Sequence, residues 1–376
     1  MRLPAVRAVR SVLLLAVVAA SALTYWGCGR DTLTTAPSSS SDGVAVLSLD
    51  NPQVLATMKV QNAHTPKLMA MPGVVGTATG IDLNGRRIVV KVYTETELAP
   101  GLLPSLLDGV PVVQEVTGKI VAYKGGGGGG VSHTAIQTPP IQLGTSGGPA
   151  QDLANGFCCG GTLGSLVRIG STQYILSNSH VFAGDVVNGG NGRVSQIGDD
   201  VTQPGLIDVG CNAGSAQVVA DVSSLSTLFP PNSTPNVDAS IAQVRSGMVR
   251  TDGAILEIGT LSASTVGASI GQAVKKSGRT TGLTRSTVSG LNATINVGYS
   301  DECAGGSFTK QFTGQIVINN KGSKFLNSGD SGSLMVEDVS TNPRAVGLLY
   351  AGGGGTAIAN PINAVLSHFG ATMVGN

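Results

Sequence analysis

The spacing of apolar positions divides the first part of the chain into a helical segment and two strand-like segments. Residues 55–71 favour a helix that ends before Pro72 and Gly73. Residues 74–83 and 86–93 are strand-like runs on either side of Asn-Gly, which is typical of a two-residue hairpin turn. The pattern therefore predicts one helix followed by a β-hairpin.

The next residues extend this small unit and then break it off. Residues 100–107 predict a second short helix and residues 110–117 a further strand, so that residues 51–124 form a small α/β domain. A Gly/Pro-rich linker, residues 125–143, follows and begins with six glycines in the run Gly125–Gly130. These glycines match a dinucleotide-binding pattern, but no helix follows them to bind a phosphate.

From residue 144 to residue 376 the chain is a series of short β segments separated by Gly, Asn, Asp and Pro. Such spacing indicates antiparallel barrels or sandwiches. One helix is predicted close to the end, with Asn360 as its N-cap, Pro361 at the first helical position and Gly370 at its end. The predicted strands are residues 162–169, 173–176, 217–222, 239–244, 315–319 and 345–350.

Composition agrees with a β-rich globular chain. Of 376 residues 54 are Gly, 12% are charged and 41% are hydrophobic, which disfavours disorder and long solvated helices. The net charge of +1 supplies no basic excess for a phosphate backbone, so we expect no nucleic-acid partner.

The N-terminus has the pattern of an export signal. Three arginines precede the apolar residues 11–24, a run too short to span a membrane as a helix. Residues 1–28 therefore predict a signal peptide, and residues 29–50 a polar tether. Cys28 resembles the lipidated cysteine of bacterial lipoproteins, although Tyr25 departs from that pattern, and ordinary secretion is the alternative. We expect a periplasmic or extracellular protein whose only membrane contact would be a lipid at Cys28.

The remaining cysteines favour disulfides over a metal site. Four are present beyond Cys28, an even number that allows three pairings. They form no CxxC pair and the four histidines are scattered, so we expect no metal and no cofactor. The four are Cys158, Cys159, Cys211 and Cys303.

Three segments of the last 230 or so residues carry complementary chemistry. His180 follows a strand-like run, Asp238 precedes an alternating strand, and Ser331 lies between glycines in the string Ser-Gly-Asp-Ser-Gly-Ser. A serine hydroxyl needs a base near pH 7, neutral histidine is such a base, and a carboxylate fixes the histidine tautomer. Each segment alone has a structural explanation, but together they predict nucleophilic catalysis.

In this order, and with Gly-Asp-Ser-Gly around the serine, the three residues resemble those of the trypsin/chymotrypsin-like serine peptidases. The string Gly-Arg-Thr-Thr-Gly at residues 278–282 is similar to a segment of bacterial members such as the streptogrisins. The pairing of Gly-Thr-Leu-Gly at 161–164 with Leu-Ser-Asn-Ser-His at 176–180 resembles an exported bacterial group. The resemblance covers residues 144–376.

The resemblance implies a role for each matching residue. Ser331 is the nucleophile, His180 the general base and then acid, and Asp238 the orienting carboxylate. The backbone N–H groups of Gly329 and Ser331 form the oxyanion hole, and Asp330 has a buried partner that the sequence does not identify. The implied fold is mainly β, with two antiparallel barrels of chymotrypsin type and a C-terminal helix, preceded by the small α/β domain.

Departures from the family pattern bear on disulfides and specificity. Val181 follows the histidine where animal relatives have a cysteine, so Cys158 is expected to pair with Cys211 in the same barrel. Cys159 then pairs with Cys303 or stays reduced. Phe325 occupies the position of the acid that gives trypsin its basic specificity, so we expect no such specificity here.

Two other acids, Asp200 and Asp208, lie between His180 and Asp238, but both sit in turn-like strings.

The function expected is that of an exported serine endopeptidase acting through an acyl-enzyme on protein or peptide substrates, as a monomer. The alternative is a non-catalytic binding or scaffold lipoprotein of the same fold. Residues 51–124 are either a prosegment that reaches the cleft or a spacer.

Overall fold

Nineteen strands and three α-helices make up the regular structure of the residues described in this computed structural model. Those residues are 46–376 without 83, 86, 123–131, 154–157, 185–192, 229–235, 301–306 and 322–323. The predicted signal peptide, Cys28, Gly125–Gly130 and Cys303 lie outside them. All of the described residues belong to one unit, Val44–Asn376.

The first elements along the chain are a helix and five strands. The helix is α1 (Pro52–Met69), and the strands are β1 (Val74–Ile81), β2 (Ile88–Thr94), β3 (Leu106–Leu107), β4 (Val110–Val116) and β5 (Val121–Ala122). Helix α1 begins where Asn51 Oδ1 accepts the backbone N–H groups of Gln53 and Val54, and a proline occupies its first position. The predicted hairpin is confirmed, because β1 and β2 are antiparallel and pair Ile81 with Ile88.

The predicted helix at residues 100–107 is wrong. Gly101 adopts φ +84° and Pro104 has no N–H group to donate, so the helical bond pattern cannot form there. The segment instead ends in β3, which turns through Asp108 and Gly109, both at positive φ, to pair with β4.

Eight strands form the first sheet, whose order is β19-β8-β9-β12-β11-β10-β6-β7. Strands β7 and β8 lie near opposite ends of this order, but only Gly164 separates them in the chain. The sheet must therefore curve round until these two strands lie side by side, which makes it a barrel. The elements are β6 (Thr145–Pro149), β7 (Gly161–Leu163), β8 (Ser165–Ile169), β9 (Thr172–Ser177), helix α2 (Ser179–Phe182), β10 (Asp200–Gln203), β11 (Gln217–Leu225), β12 (Ser240–Val244) and, from the C-terminus, β19 (Thr372–Met373).

Gly164 interrupts what the sequence predicts as one strand over residues 162–169. A Cβ at this position would lie 2.0 Å from the carbonyl oxygen of Gly332, in the loop that carries Ser331. The break therefore occurs where the other barrel's backbone approaches, which leaves no room for a side chain.

The second barrel is a ring of six strands in the order β13-β16-β17-β18-β15-β14, closed by pairing of β14 with β13. Strand β14 also pairs with β1, so the N-terminal strands continue the sheet of this barrel. The strands are β13 (Ala273–Lys276), β14 (Thr284–Ser300), β15 (Ser307–Asn319), β16 (Leu334–Glu337), β17 (Ala345–Gly353) and β18 (Thr356–Pro361). The expected mainly β fold with two antiparallel barrels is confirmed.

Helix α3 (Ile362–Phe369) is the predicted C-terminal helix, and it ends at Gly370 with φ +63° as expected. Its N-terminus differs from the prediction. The N-cap is Pro361, and Asn360 is the penultimate residue of β18, where its buried side chain bonds to the backbone of Asp238 and Leu348. No helix among the described residues is both long and apolar enough to cross a membrane.

A disulfide joins Cys158 to Cys211 in the first barrel, with 5.6 Å between the Cα atoms, which confirms the expected pairing. Cys159 is buried, and its backbone N–H donates to Oδ2 of Asp152 at 2.7 Å.

Candidate active site

His180 is the second residue of α2, which is separated from the end of β9 by one residue. The three polar residues before it use their side chains to hold the chain at this point. Ser177 Oγ donates to the carbonyl of Thr162, Asn178 Nδ2 to the carbonyl of Asp238, and Ser179 Oγ to that of Ser226. These side chains bond to the backbone of other segments, where a continued strand would use backbone pairing. The bonds therefore end β9 and fix the position of His180.

Asp238 lies two residues before β12 and contacts His180 directly. Its Oδ2 accepts a hydrogen bond from Nδ1 of His180 at 2.5 Å, and its Oδ1 accepts the backbone N–H of the same residue at 3.2 Å. Both side chains are almost completely buried. Since Nδ1 carries the hydrogen in this arrangement, Nε2 is the nitrogen with a lone pair.

Two further residues from the second barrel hold Asp238. Tyr299 Oη donates to Oδ2 at 3.0 Å. Asn360 brackets the backbone, since its Nδ2 donates to the Asp238 carbonyl at 3.1 Å and its Oδ1 accepts the Asp238 N–H at 3.2 Å. Burial, and then the charge of Asp238, raise the pKa of the Tyr299 phenol well above its ordinary value, so it remains a donor.

Ser331 lies in the turn before β16. Its Oγ donates to the carbonyl of Tyr350 at 3.3 Å, while Nε2 of His180 is buried and has no hydrogen-bond partner among the described residues. The histidine and the aspartate are thus joined by a hydrogen bond, and the Ser331 hydroxyl is bonded to the neighbouring strand β17. A Cβ at Gly161 would lie 2.9 Å from the Ser331 carbonyl and 2.7 Å from Cγ2 of Val181, so the loops of Ser331 and His180 meet at this glycine.

The loop before Ser331 is shaped by Gly329 and Asp330. Gly329 adopts φ +90°, and a Cβ there would lie 2.5 Å from Oγ1 of Thr280. Asp330 is fully buried and points away from the cleft, where Oδ1 accepts the N–H groups of Thr280 and Thr281 at 2.9 and 3.1 Å. The Gly-Arg-Thr-Thr-Gly string therefore holds the loop that carries Ser331.

The buried partner that the sequence left open is Lys276, the last residue of β13. Its Nζ lies 3.3 Å from Oδ2 of Asp330, and both side chains are fully buried. Burial lowers the pKa of Lys276, an effect that the charge of Asp330 partly offsets.

The other candidate acids are engaged elsewhere. Both oxygens of Asp208 are bonded by Arg279, at 2.6 and 2.7 Å, and Asp200 pairs with Arg245 on the surface. Neither of these carboxylates contacts His180 through a hydrogen bond among the described residues, which leaves Asp238 as its partner. Phe325, the residue expected to preclude basic specificity, is fully buried in an apolar cluster.

Sequence reasoning missed the contributions of three residues to this site. Lys276 follows another lysine, Lys275, two residues before the Gly-Arg-Thr-Thr-Gly string, and no local pattern distinguishes the buried lysine. Asn360 was assigned to a helix cap because local capping preference was the only signal available. Tyr299 is 61 residues from Asp238 in the chain, and no local pattern marks it.

Strand β5 lies in the groove beside this site, between β14 and β17. It pairs antiparallel with β17, placing Val121 opposite Gly352 and Ala122 opposite Ala351. On the other side the N–H of Gly298 donates to the carbonyl of Ile120 at 2.9 Å. The edge of β17 next to Tyr350 is thus occupied by the chain itself.

Among the described residues no cluster of three or more His, Cys, Asp or Glu side chains is placed to bind a metal ion.

Comparison with known proteins yields matches to parts of the chain. The family model described as the Nal1 C-terminal domain matches residues 235–360. Streptogrisin-A of Streptomyces griseus is 36% identical over 110 residues, which are 28% of this chain and 31% of that protein. The chain thus spans about a third of the length of this curated relative.

Two solved structures are also similar. A glutamic acid-specific serine protease that uses a histidine triad in substrate binding is 21% identical, with a TM-score of 0.40, over 62% of this chain and 100% of its own. Protease A of Thermobifida fusca is 22% identical, with a TM-score of 0.38, over 58% of this chain and 92% of its own.

The two-barrel fold and the site between its barrels place the chain in the chymotrypsin-type fold class. The streptogrisin-A match agrees with the resemblance to trypsin-like serine peptidases that the motifs carry.

Proposed function

We propose that the chain is an exported serine endopeptidase that cleaves peptide bonds through an acyl-enzyme. The proposal is supported above all by the 2.5 Å bond between Nδ1 of His180 and Oδ2 of Asp238. That bond places the hydrogen on Nδ1, so that Nε2 can accept a proton from Ser331.

The reaction begins with rotation of the Ser331 hydroxyl from the Tyr350 carbonyl toward Nε2 of His180. His180 removes the hydroxyl proton as Oγ bonds to the substrate's carbonyl carbon, and Asp238 stabilises the resulting imidazolium. The backbone N–H groups of Gly329 and Ser331 would stabilise the oxyanion. The imidazolium then gives its proton to the leaving amine as the C–N bond breaks, and water hydrolyses the acyl-enzyme by the same steps.

Fluorophosphonate labelling tests this function, because the probe reacts only with an activated serine. We expect the wild type to be labelled and Ser331→Ala and His180→Ala to lose labelling and hydrolysis, since nucleophile and base act as a unit. Ser223→Ala, which removes a hydroxyl far along β11, is the matched control. Wild-type turnover by Ser331→Ala would disprove the triad. A folded wild type that is not labelled even after cleavage between residues 122 and 132 would favour the binding-protein alternative.

The N-terminal unit, residues 51–124, is proposed to block this cleft as a prosegment. Strand β5 is antiparallel to β17, so from Val121 to Ala122 it runs toward Tyr350. The carbonyl of Tyr350 accepts the hydrogen bond from Ser331. The acyl half of a peptide substrate must approach Ser331 in the same direction. The fit is tight, because a Cβ at Gly353 would lie 2.5 Å from the Lys119 carbonyl and one at Gly354 would lie 2.3 Å from that of Thr117.

Ile120 offers the sharpest test of this block, because its side chain is buried in the apolar cluster that also contains Tyr299 and Tyr350. A carboxylate there would be desolvated without a partner, so Ile120→Asp should expel the strand and raise labelling of the uncut full chain more than about tenfold. Ile136→Asp, at a side chain that is 57% exposed, should change nothing.

The prosegment reading also predicts processing. The wild type should be cut between residues 122 and 132, and Ser331→Ala should stay intact, as measured by intact mass. Residues 31–124 supplied as a separate chain should alter the refolding yield or hydrolysis rate of residues 131–376. No change in either quantity would leave the spacer reading in place.

A further inference from the structure

A phenol from outside the proposed triad reaches its carboxylate. Tyr299 belongs to β14 of the second barrel, whereas His180 and Asp238 belong to the first. Its Oη donates to the oxygen of Asp238 that also accepts Nδ1 of His180, at 3.0 and 2.5 Å respectively. The Tyr299 and His180 rings meet edge to face, with centroids 6.0 Å apart.

We propose that Tyr299 is a positioning residue, which fixes the Asp238 carboxylate and sets the basicity of His180. The inference rests on the proposed peptidase function of this site.

The first step in the argument is the burial of Asp238. Its side chain has no exposed surface, so protein donors must replace the water that an ionised carboxylate requires. His180 supplies two of these donors, from Nδ1 and the backbone N–H. Tyr299 supplies a donor that does not move with the histidine, so it holds the carboxylate plane while His180 gains and loses its proton.

The second step is the permanence of this donor. Burial and the charge of Asp238 raise the pKa of the phenol, so Tyr299 keeps its hydrogen over the range in which a histidine titrates. The ring is itself fixed, since it stacks on Phe308 with centroids 5.0 Å apart and packs against Phe312. Oη therefore has one persistent role, which is to donate to Oδ2.

The third step is the effect on His180. A carboxylate that shares its charge with a second donor attracts the imidazolium less strongly. Loss of the phenol hydroxyl should therefore strengthen the hold of Asp238 on the imidazolium and move the acid limb of the acylation rate to higher pH. The carboxylate would also lose its fixed orientation, which should slow acylation on the plateau.

Two other groups face Asp238 from the second barrel. Lys310 on β15 has its pKa lowered by burial and partly restored by the charge of Asp238. Tyr350 on β17 has its pKa raised by burial and then by the same charge, so it keeps its proton. A Lys310→Met variant separates the contribution of that cation from the effect of Tyr299.

The experiment measures the rate of the p-nitrophenol burst, which reports acylation by p-nitrophenyl acetate, as a function of pH. The protein is expressed as the full chain. This small ester does not need the strand-binding edge of β17. We expect Tyr299→Phe to lower the plateau rate about tenfold and to move the acid limb to higher pH. Tyr174→Phe, which removes a hydroxyl from β9 in the first barrel, should match the wild type.

A second substitution gives a change of the opposite sign without removing the hydroxyl. Incorporation of 3-fluorotyrosine at position 299 makes the phenol a stronger donor, so the acid limb should move to lower pH. An unmoved acid limb in either of these proteins, once it is shown to be folded by circular dichroism, overturns the role of Tyr299. A wild type that is not acylated at any pH overturns the peptidase proposal itself and the inference with it.

Discussion

Lys276 and Asp330 form the most deeply buried ion pair described in the chain, with both side chains at 0% exposure. The charge of Asp330 is further satisfied by Thr280, Thr281 and the N–H of Asn327. Lys276 belongs to β13 and Asp330 to the loop of Ser331, so the pair attaches this loop to the second barrel. Removal of one partner would leave the other charged and buried, which costs more than the pair contributes.

Lys276 should give the chain a pH dependence on the alkaline side. Because burial lowers its pKa below the ordinary value of 10.5, the unfolded chain binds more protons between the two values. The contribution of this residue to the free energy of unfolding is thus least when the amine is charged, and rises with pH across that interval. Over the same interval acylation should fall, because the neutral amine no longer pairs with Asp330.

Urea unfolding and the acylation burst, each measured across that interval, check this prediction. Lys276→Met should remove both slopes and lower the acylation rate at neutral pH by at least about tenfold. Lys59→Met, at an exposed position on α1, should retain both slopes. Parallel slopes in Lys276→Met and the wild type would contradict the assignment.

At the scale of elements, a buried amide of helix α1 contacts the second barrel. Gln61 is fully buried, and its Nε2 donates to the carbonyl of Asn292 in β14 at 2.9 Å and to Oγ1 of Thr77 at 3.3 Å. Its Oε1 accepts from Thr79 at 3.0 Å and from Nδ2 of Asn292 at 3.2 Å. All four hydrogen-bonding capacities of the amide are used, and two of them are used by Asn292 of the second barrel.

Gln61→Ala should therefore loosen the N-terminal unit without unfolding the barrels. The buried partners lose their bonds, which is expected to cost about 1–3 kcal/mol. Hydrogen exchange of the α1 amides should speed up accordingly, while exchange in β16 and β17 stays unchanged. Gln53→Ala, at an exposed position of the same helix, is the control, and equal protection of α1 in the two variants would count against this attachment.

At the scale of the whole molecule, the two barrels and the N-terminal strands depend on pairings far apart in sequence. The N-terminal β1 pairs with β14, and residue 76 faces residue 295. Such long-range pairing is slow to form, which is consistent with a role for the N-terminal unit in assembly. The Cys158–Cys211 disulfide, with a sequence separation of 53, restricts one such loop in the unfolded chain.

Loss of this disulfide should lower the stability of the first barrel. Cys211→Ser is expected to reduce the free energy of unfolding by about 2–4 kcal/mol, because the reduced loop gains entropy when unfolded. Denaturant unfolding measures this, and the double substitution with Cys158→Ser should be no worse than either single one. Additive losses in the double variant would mean that the two cysteines contribute separately.

The sequence by itself determined the features that depend on neighbours along the chain. Asn-Gly at residues 84–85 predicted the hairpin, and short β segments between turn residues predicted half of the barrel strands, namely β7, β8, β9, β11, β12, β15 and β17. Helix α1 and the Gly370 end of α3 were also predicted, because caps and turns are decided by residues within a few positions. The complementary chemistry of His180, Asp238 and Ser331 could be read because each lies in a short string of recognisable composition.

Tertiary structure decided what depends on residues distant in sequence. Asn360, a predicted helix cap, instead bonds to the backbone of Asp238. Lys276 pairs with Asp330, and Tyr299 donates to the carboxylate of Asp238. Tertiary structure also placed β5 in the groove beside Tyr350, where a two-residue strand is too short to be recognised by periodicity. The physical reason is the same throughout: a buried polar group takes whichever donor or acceptor the packed barrels bring within 3 Å or so, and local pattern carries no record of that partner.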